Sequence, residues 1–216
     1  MRYLALLALM VSSAVAAQSA PRGSPEQKAL HDRIQASLAQ TERKLSAEAG
    51  FRPLETLVAE GRTVRRALFM FPYMSRVTHA VEIEREADGS VSLTMTESGA
   101  FRSRVELPAS AWERLITLQG TLFRAKPYMP WDPPEIVQTG VPAPTCHGWV
   151  VVFGAADVGI SGNGQWSSCS TVGADQGARA YAIEIARLAV STRPACKAEE
   201  PDPLSAFQMC FDRPQR

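Results

Sequence analysis

The chain lacks the residue patterns that mark metal and catalytic sites. Its 216 residues include three histidines, His31, His79 and His147, and none of them stand at HxH, HxxxH or HExxH spacing. No Gly-Lys-Ser or Gly-Lys-Thr occurs, and the start of a nucleophile elbow at Gly159 lacks the glycine that the motif requires at position 163. The sequence therefore predicts no cofactor, no metal and no catalytic residue, unless the three histidines meet in space.

An excess of one charge is also lacking. The chain has 23 Lys+Arg against 22 Asp+Glu, and no Lys/Arg run is longer than a pair such as Arg65-Arg66. A chain this close to neutrality has no long-range field to attract nucleic acid or an anionic membrane. We therefore expect neither as a partner.

No apolar run is long enough to span a membrane, but the first residues match a secretory signal. Arg2 precedes an apolar run over residues 4–15, and small residues follow at Ala16 and Ala17. That run is short of the roughly 20 residues that a spanning helix needs. The pattern predicts a signal peptide over residues 1–17, a short linker over 18–23 and a periplasmic or extracellular location. The alternative is a buried N-terminal helix.

The cysteines are few and even in number. They are Cys146, Cys169, Cys196 and Cys210. In an exported chain an even count predicts disulfides, and four cysteines allow three pairings. Nearest neighbours, Cys146–Cys169 and Cys196–Cys210, form the simplest set.

Three segments have helical periodicity. The first covers residues 24–50, with a capping box from Ser24 to Gln27 and a stop at Gly50. Its apolar stripe comprises Leu30, Ile34, Leu38, Thr41 and Leu45. The second runs from a capping box at Ser110 and Glu113 to about residue 123. The third begins at Asp175 and buries Ala178, Tyr181, Ala182, Ile185 and Leu188.

Alternating apolar residues predict a β-meander between the first two helices. Its three strands carry Val77, His79, Val81 and Ile83, then Val91, Leu93 and Met95, then Phe101, Val105 and Leu107. All of these positions are odd, and paired residues must point to the same face of a sheet. Two three-residue loops, each with a left-handed glycine, then place Ile83 opposite Leu93 and Met95 opposite Phe101. Residues 63–71 predict a fourth strand.

The stretch from Cys146 to Cys169 predicts a strand pair closed by a disulfide. A register that places Cys146 opposite Cys169 also places Trp149 opposite Trp166, and aromatic pairs of this kind stabilise sheets. The alternative is a redox or nucleophilic role for these cysteines.

The preceding loop, residues 126–135, is rich in proline and carries Tyr128, Met129 and Trp131. A rigid loop that displays aromatic residues loses little entropy on binding, which favours a recognition element at these three positions. The alternative is a lid that folds Trp131 back over the core.

The predicted fold class is α+β, with an antiparallel β-meander and a disulfide-stapled β-hairpin packed with three amphipathic helices. We expect one domain over residues 24–193 and a proline-rich tail over 194–216, pinned by a disulfide.

Three functions compete. The first is an exported, non-catalytic binding or interaction module for an unknown protein or cell-envelope component. The second is an envelope-directed hydrolase that uses Glu82, Glu84 or another carboxylate together with His147. The alternative for the row Glu82, Glu84 and Glu86 is a solvated face with cross-strand ion pairs. The third is a structural protein that oligomerises through the N-terminal helix.

Overall fold

The structure is a computed structural model that describes residues 24–70, 78–97, 100–120, 122–123, 148–157, 160–168, 176–193, 196 and 202–212. Within these ranges, the residues from 35 onward belong to one compact unit. Residues 24–34, the beginning of the first helix, belong to another unit and are described by themselves.

Five helices and six strands lie in the described ranges. In chain order they are α1 Pro25–Glu48, α2 Leu54–Ala59, β1 Thr63–Met70, β2 His79–Arg85, β3 Val91–Glu97, β4 Ala100–Leu107, α3 Ala109–Gln119, β5 Val150–Asp157, β6 Ile160–Ser167, α4 Gln176–Ser191 and α5 Pro203–Asp212.

The strands form one antiparallel sheet in the order β4-β3-β2-β1-β5-β6. The α+β class with an antiparallel sheet is therefore confirmed. The meander and the hairpin share this sheet because β1 pairs with both β2 and β5, with Ala67 opposite Val81 on one side and Phe153 on the other.

The first predicted hairpin register is confirmed. Ile83 lies opposite Leu93, and the Glu86 N–H donates to the Ser90 carbonyl at 2.9 Å across a three-residue loop. Gly89 has φ 89°, a conformation that favours glycine at this position of the loop.

The second predicted hairpin register is wrong by two residues. Met95 pairs with Ser103 instead of Phe101, and Glu97 pairs with Ala100 after a register shift between Thr96 and Glu97. The connection is therefore two residues long. A shift of two residues leaves every side chain on the same face, so the apolar alternation could not distinguish the two registers.

The register predicted for the last strand pair is also wrong by two residues. Trp166 lies opposite Val151 rather than Trp149. Both tryptophans are nevertheless buried in the same core cluster, because a two-residue shift preserves the face. Cys146 and Cys169, and with them the predicted disulfide of this hairpin, lie outside the described residues.

One face of the sheet, which we call the apolar face, carries the main core. Odd-numbered residues of β1, β2, β3 and β5 pack there against α3, α4 and α5. The largest core residues of this cluster that are fully buried are Phe69, Ile83, Leu93, Phe153, Leu115, Tyr181, Ile185, Phe207 and Phe211.

The opposite face, which we call the charged face, has two smaller apolar clusters. The end of α1 contributes Leu45 and Ala49 to one of them, and α2 contributes Leu54 and Leu57 to the other. The even-numbered strand residues between and beside these clusters are mostly polar or charged.

The helix α3 differs from its prediction at both ends. It begins at Ala109 after Pro108, so Ser110 lies inside the helix and is not its N-cap. It ends at Gln119, because Gly120 follows with φ 47°, and a turn at residues 122–123 brings Leu122 and Phe123 onto β6.

The helix α5 lies in the segment that the sequence presents as a tail. Phe207 and Phe211 are fully buried on it, and a disulfide joins its Cys210 to Cys196. The predicted Cys196–Cys210 pairing is thus present, and it attaches a core helix in a segment where the sequence predicts only a tail.

Candidate functional site

The clearest concentration of ionisable groups in the described ranges is the row of glutamates on the charged face. Glu82, Glu84 and Glu86 alternate along β2 and its end, as the sequence predicts. Glu84, in the middle of the row, is the most buried: its side chain is 10% exposed, that of Glu82 is 18% and that of Glu86 is 36%. The carboxylates of Glu82 and Glu84 are therefore mostly removed from solvent, unlike the solvated face that the sequence favours.

Each of these glutamates binds an arginine. Glu82 accepts a hydrogen bond from Nε of Arg66 at 2.9 Å. Glu84 binds Arg62, and Glu86 accepts from Nη2 of Arg104 at 2.7 Å. The arginines come from β1, β4 and the residue before β1, so that the registers of the four strands from β1 to β4 fix the row.

Arg66 is the centre of this arrangement, and its side chain is fully buried. Its Nη1 donates to Oε1 of Glu42 at 2.9 Å and to Oγ of Ser46 at 2.8 Å. Its Nη2 donates to the carbonyl of Arg52 at 2.8 Å, and its guanidinium lies 5.0 Å from the ring centre of Phe51. Two carboxylates and two neutral acceptors thus satisfy one buried cation, as a buried charge requires.

This network has the features of a structural ion-pair cluster. A general base needs a lone pair that can reach a substrate proton, and a nucleophilic carboxylate needs an accessible oxygen. Glu42 and Glu82 instead direct their oxygens at Arg66, and Ser46 also donates to Glu42 at 2.6 Å. The arrangement therefore fastens α1 to β1 and β2.

A second buried arginine lies on the apolar face. Nε of Arg65 donates to Gln119 at 2.7 Å, and Nη2 contacts Asp157 at 3.2 Å. Its guanidinium stands 5.1 Å from the ring centre of Trp112 and 5.9 Å from that of Phe123. Such contacts stabilise a buried cation and connect β1 with the end of α3.

Tyr181 on α4 is the most strongly perturbed titratable side chain near Arg65. Its complete burial raises the pKa of the phenol well above the ordinary value, and the charge of Arg65 opposes this only in part. Its hydroxyl lacks a hydrogen-bond partner within the described ranges. The phenol is therefore neutral at physiological pH and sits among Phe123 and Phe153, which is the environment of a core residue.

Two other candidates from the sequence are also core residues. His79 is 2% exposed and contacts the rings of Phe207 and Phe211. Gly162 makes room for the turn after α3, because a Cβ at this position would lie 2.6 Å from the carbonyl oxygen of Phe123. The glycines of β6 thus serve close packing, a role that the search for phosphate loops could not reveal.

The residues predicted to form a binding loop lie outside the described ones. This applies to Tyr128, Met129 and Trp131, and equally to His147. The recognition loop and the histidine of the hydrolase hypothesis stay predictions.

The described residues do present one apolar surface at the beginning of α1. Leu30 and Ile34 are each 49% exposed, and one helical turn separates them on the same side of the helix. A mixed set of charges surrounds them, including the ion pair of Lys28 with Asp32 at 2.9 Å. An isolated exposed leucine is ordinary, but a pair at this spacing makes a ridge.

Within the described ranges, none of the helices combines the length and apolarity that crossing a membrane requires. The same ranges contain no cluster of three or more histidine, cysteine, aspartate or glutamate side chains that could hold a metal ion. No protein-family model matches the chain, and no curated protein sequence matches it either. The class that the fold defines is an α+β protein with a six-stranded antiparallel sheet.

Proposed function

We propose that the protein is an exported, non-catalytic interaction module that binds a protein or another component of the cell envelope. The observation that carries this proposal is the pairing of the predicted carboxylates. Glu82 and Glu84, the groups that a hydrolase would use, are bound to Arg66 and Arg62. Such pairing holds the carboxylate oxygens on the arginines, whereas a general base or a nucleophile needs an oxygen that can reach the substrate.

Export is the first part of the proposal. The Cys196–Cys210 disulfide is typical of proteins in oxidising compartments, and the first 17 residues have the pattern of a signal peptide. Cleavage after Ala16 or Ala17 would release the chain into the periplasm or the medium.

Intact mass measurement of protein from a periplasmic fraction tests this part. We expect a chain that begins at residue 17 or 18, with mass that increases on reduction by the hydrogens of two disulfides. Peptide mapping without reduction should link Cys146 to Cys169 as well as Cys196 to Cys210. A full-length cytoplasmic chain with free thiols would contradict export, and a free thiol at Cys146 would favour the redox alternative.

Binding is the second part of the proposal. The ridge of Leu30 and Ile34 and the predicted loop of Tyr128 and Trp131 are the two surfaces that fit it. Both offer apolar side chains in a polar setting, which is the composition of interface centres.

Site-specific photo-crosslinking in intact cells tests the two surfaces separately. A crosslinking residue at position 34 or 131 is expected to trap the same defined partner, whereas one at Ala36, which lies on the opposite side of α1, should trap none. Because we expect one partner to cover both surfaces, alanine at both Leu30 and Ile34 should weaken the crosslink from position 131, and an unchanged crosslink would contradict a shared partner. Equal labelling from positions 34, 36 and 131 would contradict a specific partner.

The hydrolase alternative has a separate test. If Glu82 acted in catalysis, Glu82→Gln would abolish hydrolysis of envelope material, whereas a substitution elsewhere that lowers stability by the same amount would not. We expect no hydrolysis by the wild-type protein, and therefore no such difference.

A further inference from the structure

The strand β6 forms one edge of the sheet, and the register shows which of its backbone groups face outward. The Ser168 N–H donates to the Trp149 carbonyl at 2.9 Å, which continues the β5–β6 register by one pair. Hydrogen-bonded and non-hydrogen-bonded pairs alternate along an antiparallel ladder. Trp166, Gly164 and Gly162 therefore bond to β5, while Ser161, Asn163 and Gln165 direct their N–H and C=O groups away from it.

These outward groups have no strand to bond to in the described part of the chain. The sheet order ends at β6, and no backbone hydrogen bond joins Ser161, Asn163 or Gln165 to another described segment. A row of unpaired N–H and C=O groups is a template for a further strand.

The opposite edge, β4, is protected by charge, and β6 is not. Arg102, Arg104 and Glu106 alternate along β4, and Pro108 follows directly after it. Charged residues and proline are the usual means of blocking edge pairing. The eight residues of β6, ISGNGQWS, include neither.

The edge of β6 is also held in position from both sides. On the apolar face the turn at Leu122 and Phe123 lies directly on Gly162 and Gly164, where a Cβ would approach Phe123 to 2.6 Å and Leu122 to 3.1 Å. On the charged face β6 contacts α2. A strand fixed in this way is pre-ordered for pairing, so that little conformational entropy is lost on association.

We propose that β6 pairs with β6 of a second copy of this chain, antiparallel and about a two-fold axis, so that the two sheets become one continuous sheet. A two-fold interface joins the same surface of both copies, which requires a strand that is complementary to itself. The longest overlap of Ile160–Ser167 with itself that joins outward-facing groups centres on Asn163. It sets Ser161 opposite Gln165 of the second copy and Gly162 opposite its Gly164.

This pairing places no charge opposite a like charge. A similar pairing of β4 about Arg104 would place that arginine opposite its own copy, which is unfavourable. In this pairing Gly162 and Gly164 of the two copies face each other, and Leu122 of each copy lies over its own Gly164. The half-buried Leu122 side chains can then cover the new hydrogen bonds between the two β6 strands. The dimer is argued separately from the partner proposed above, because it rests on the backbone of β6 and not on Leu30, Ile34, Tyr128 or Trp131.

Molar mass in solution tests the dimer directly. We expect the mature chain, measured by light scattering over a wide range of concentration, to approach twice the mass of one chain at the upper end. Gln165→Pro removes one outward N–H and leaves the bonds to β5 intact, and we expect it to be a folded monomer. Gln165→Thr is the matched control at the same exposed position; it keeps the N–H and should remain a dimer.

Hydrogen exchange supplies a test that does not depend on the folding of the proline variant. In the wild-type chain the amides of Asn163 and Gln165 should be protected at high concentration and exchange rapidly after dilution. A single-chain mass at every concentration, rapid exchange of both amides throughout, or a folded Gln165→Pro dimer would each overturn the proposal.

Discussion

The two faces of the sheet are stabilised by different forces. On the apolar face, α3, α4 and α5 bury aromatic and aliphatic side chains in one large cluster, and their contact is non-directional. On the charged face, two small apolar clusters flank a fully buried arginine that holds two carboxylates. The stability of the apolar face therefore depends on filling the core volume, whereas that of the charged face depends on each buried charge having a partner.

This difference affects how each face should respond to mutation. A cavity in an apolar core costs free energy in proportion to the lost contacts and can be filled only by restoring volume. A buried ion pair is costly to break but can be neutral to replace as a whole, because removing the second charge also removes its desolvation penalty. On the charged face, the stability lost by removing one buried charge should therefore be largely recovered by also removing its partner of opposite charge.

The largest effect is expected from Arg66→Met. This change removes the buried cation that Glu42 and Glu82 both bind, and the loss should be about 3–5 kcal/mol in the free energy of unfolding. Urea denaturation of the purified mature chain measures it. The double variant Arg66→Met with Glu42→Gln should recover much of the loss.

Failure of that recovery would remove the contrast between the faces. If the double variant were as unstable as Arg66→Met alone, Arg66 would contribute mainly through packing, for example its contact with Phe51, and the charged face would behave like the apolar one.

On the apolar face the corresponding change is Phe207→Ala. The side chain is fully buried and contacts Phe69 and His79, so the loss should be about 3–5 kcal/mol. Met209→Ala is the control on the same helix, because Met209 is 39% exposed, and it should change stability by less than about 0.5 kcal/mol. Equal losses for the two variants would mean that α5 is not part of the core in solution.

Much of the sheet can be predicted from its alternating residues. The register predicted for the β2–β3 hairpin is correct because two sequence signals agree: Ile83 and Leu93 share the same face, and a glycine occupies the left-handed position of the loop. The β3–β4 and β5–β6 registers are each wrong by two residues, because parity alone cannot separate registers that keep the same face.

The arrangement of charges could not be predicted in the same way. Glu42 and Arg66 are 24 residues apart, on a helix and a strand, and only the packing of α1 on the sheet brings them together. The sequence does not indicate the helix α5, because its buried residues Phe207 and Phe211 occupy a single short stretch of a proline-rich segment. A four-residue spacing of aromatics beside a cysteine is the signal that could have indicated it.

Alanine substitutions at two glycines compare the two faces with smaller expected effects, because an added Cβ would lie on the apolar face at Gly162 and on the charged face at Gly154. A Cβ at Gly162 would meet the backbone carbonyl of Phe123 at 2.6 Å, whereas one at Gly154 would meet Cδ1 of Leu54 at 2.8 Å and Oε1 of Glu42 at 2.9 Å. Overpacking of this kind costs about 1–3 kcal/mol. Gly162→Ala should lie at the upper end of that range, because a backbone atom cannot rotate away, and Gly154→Ala at the lower end.

Thermal or urea unfolding of the two alanine variants measures this difference. A larger loss for Gly154→Ala would show that the ion-pair network around Glu42 is as rigid as the backbone, and that the side chains of the charged face cannot adjust.

The smallest effect is expected from an exposed ion pair beside the charged face, Arg52 with Glu60. The hydrogen bond from Arg52 lowers the pKa of the Glu60 carboxyl below its ordinary value of 4.5. A carboxyl with a lowered pKa in the folded state adds stability above its unfolded pKa and loses it as the pH falls through the folded pKa. Stability curves of wild type and Glu60→Gln should therefore differ slightly at neutral pH and converge in acid.

Added salt should shrink the neutral-pH difference, because exposed pairs are screened, while the loss in Arg66→Met should persist in salt. If salt reduced both losses equally, the burial of Arg66 would not distinguish its ion pairs from those at the surface.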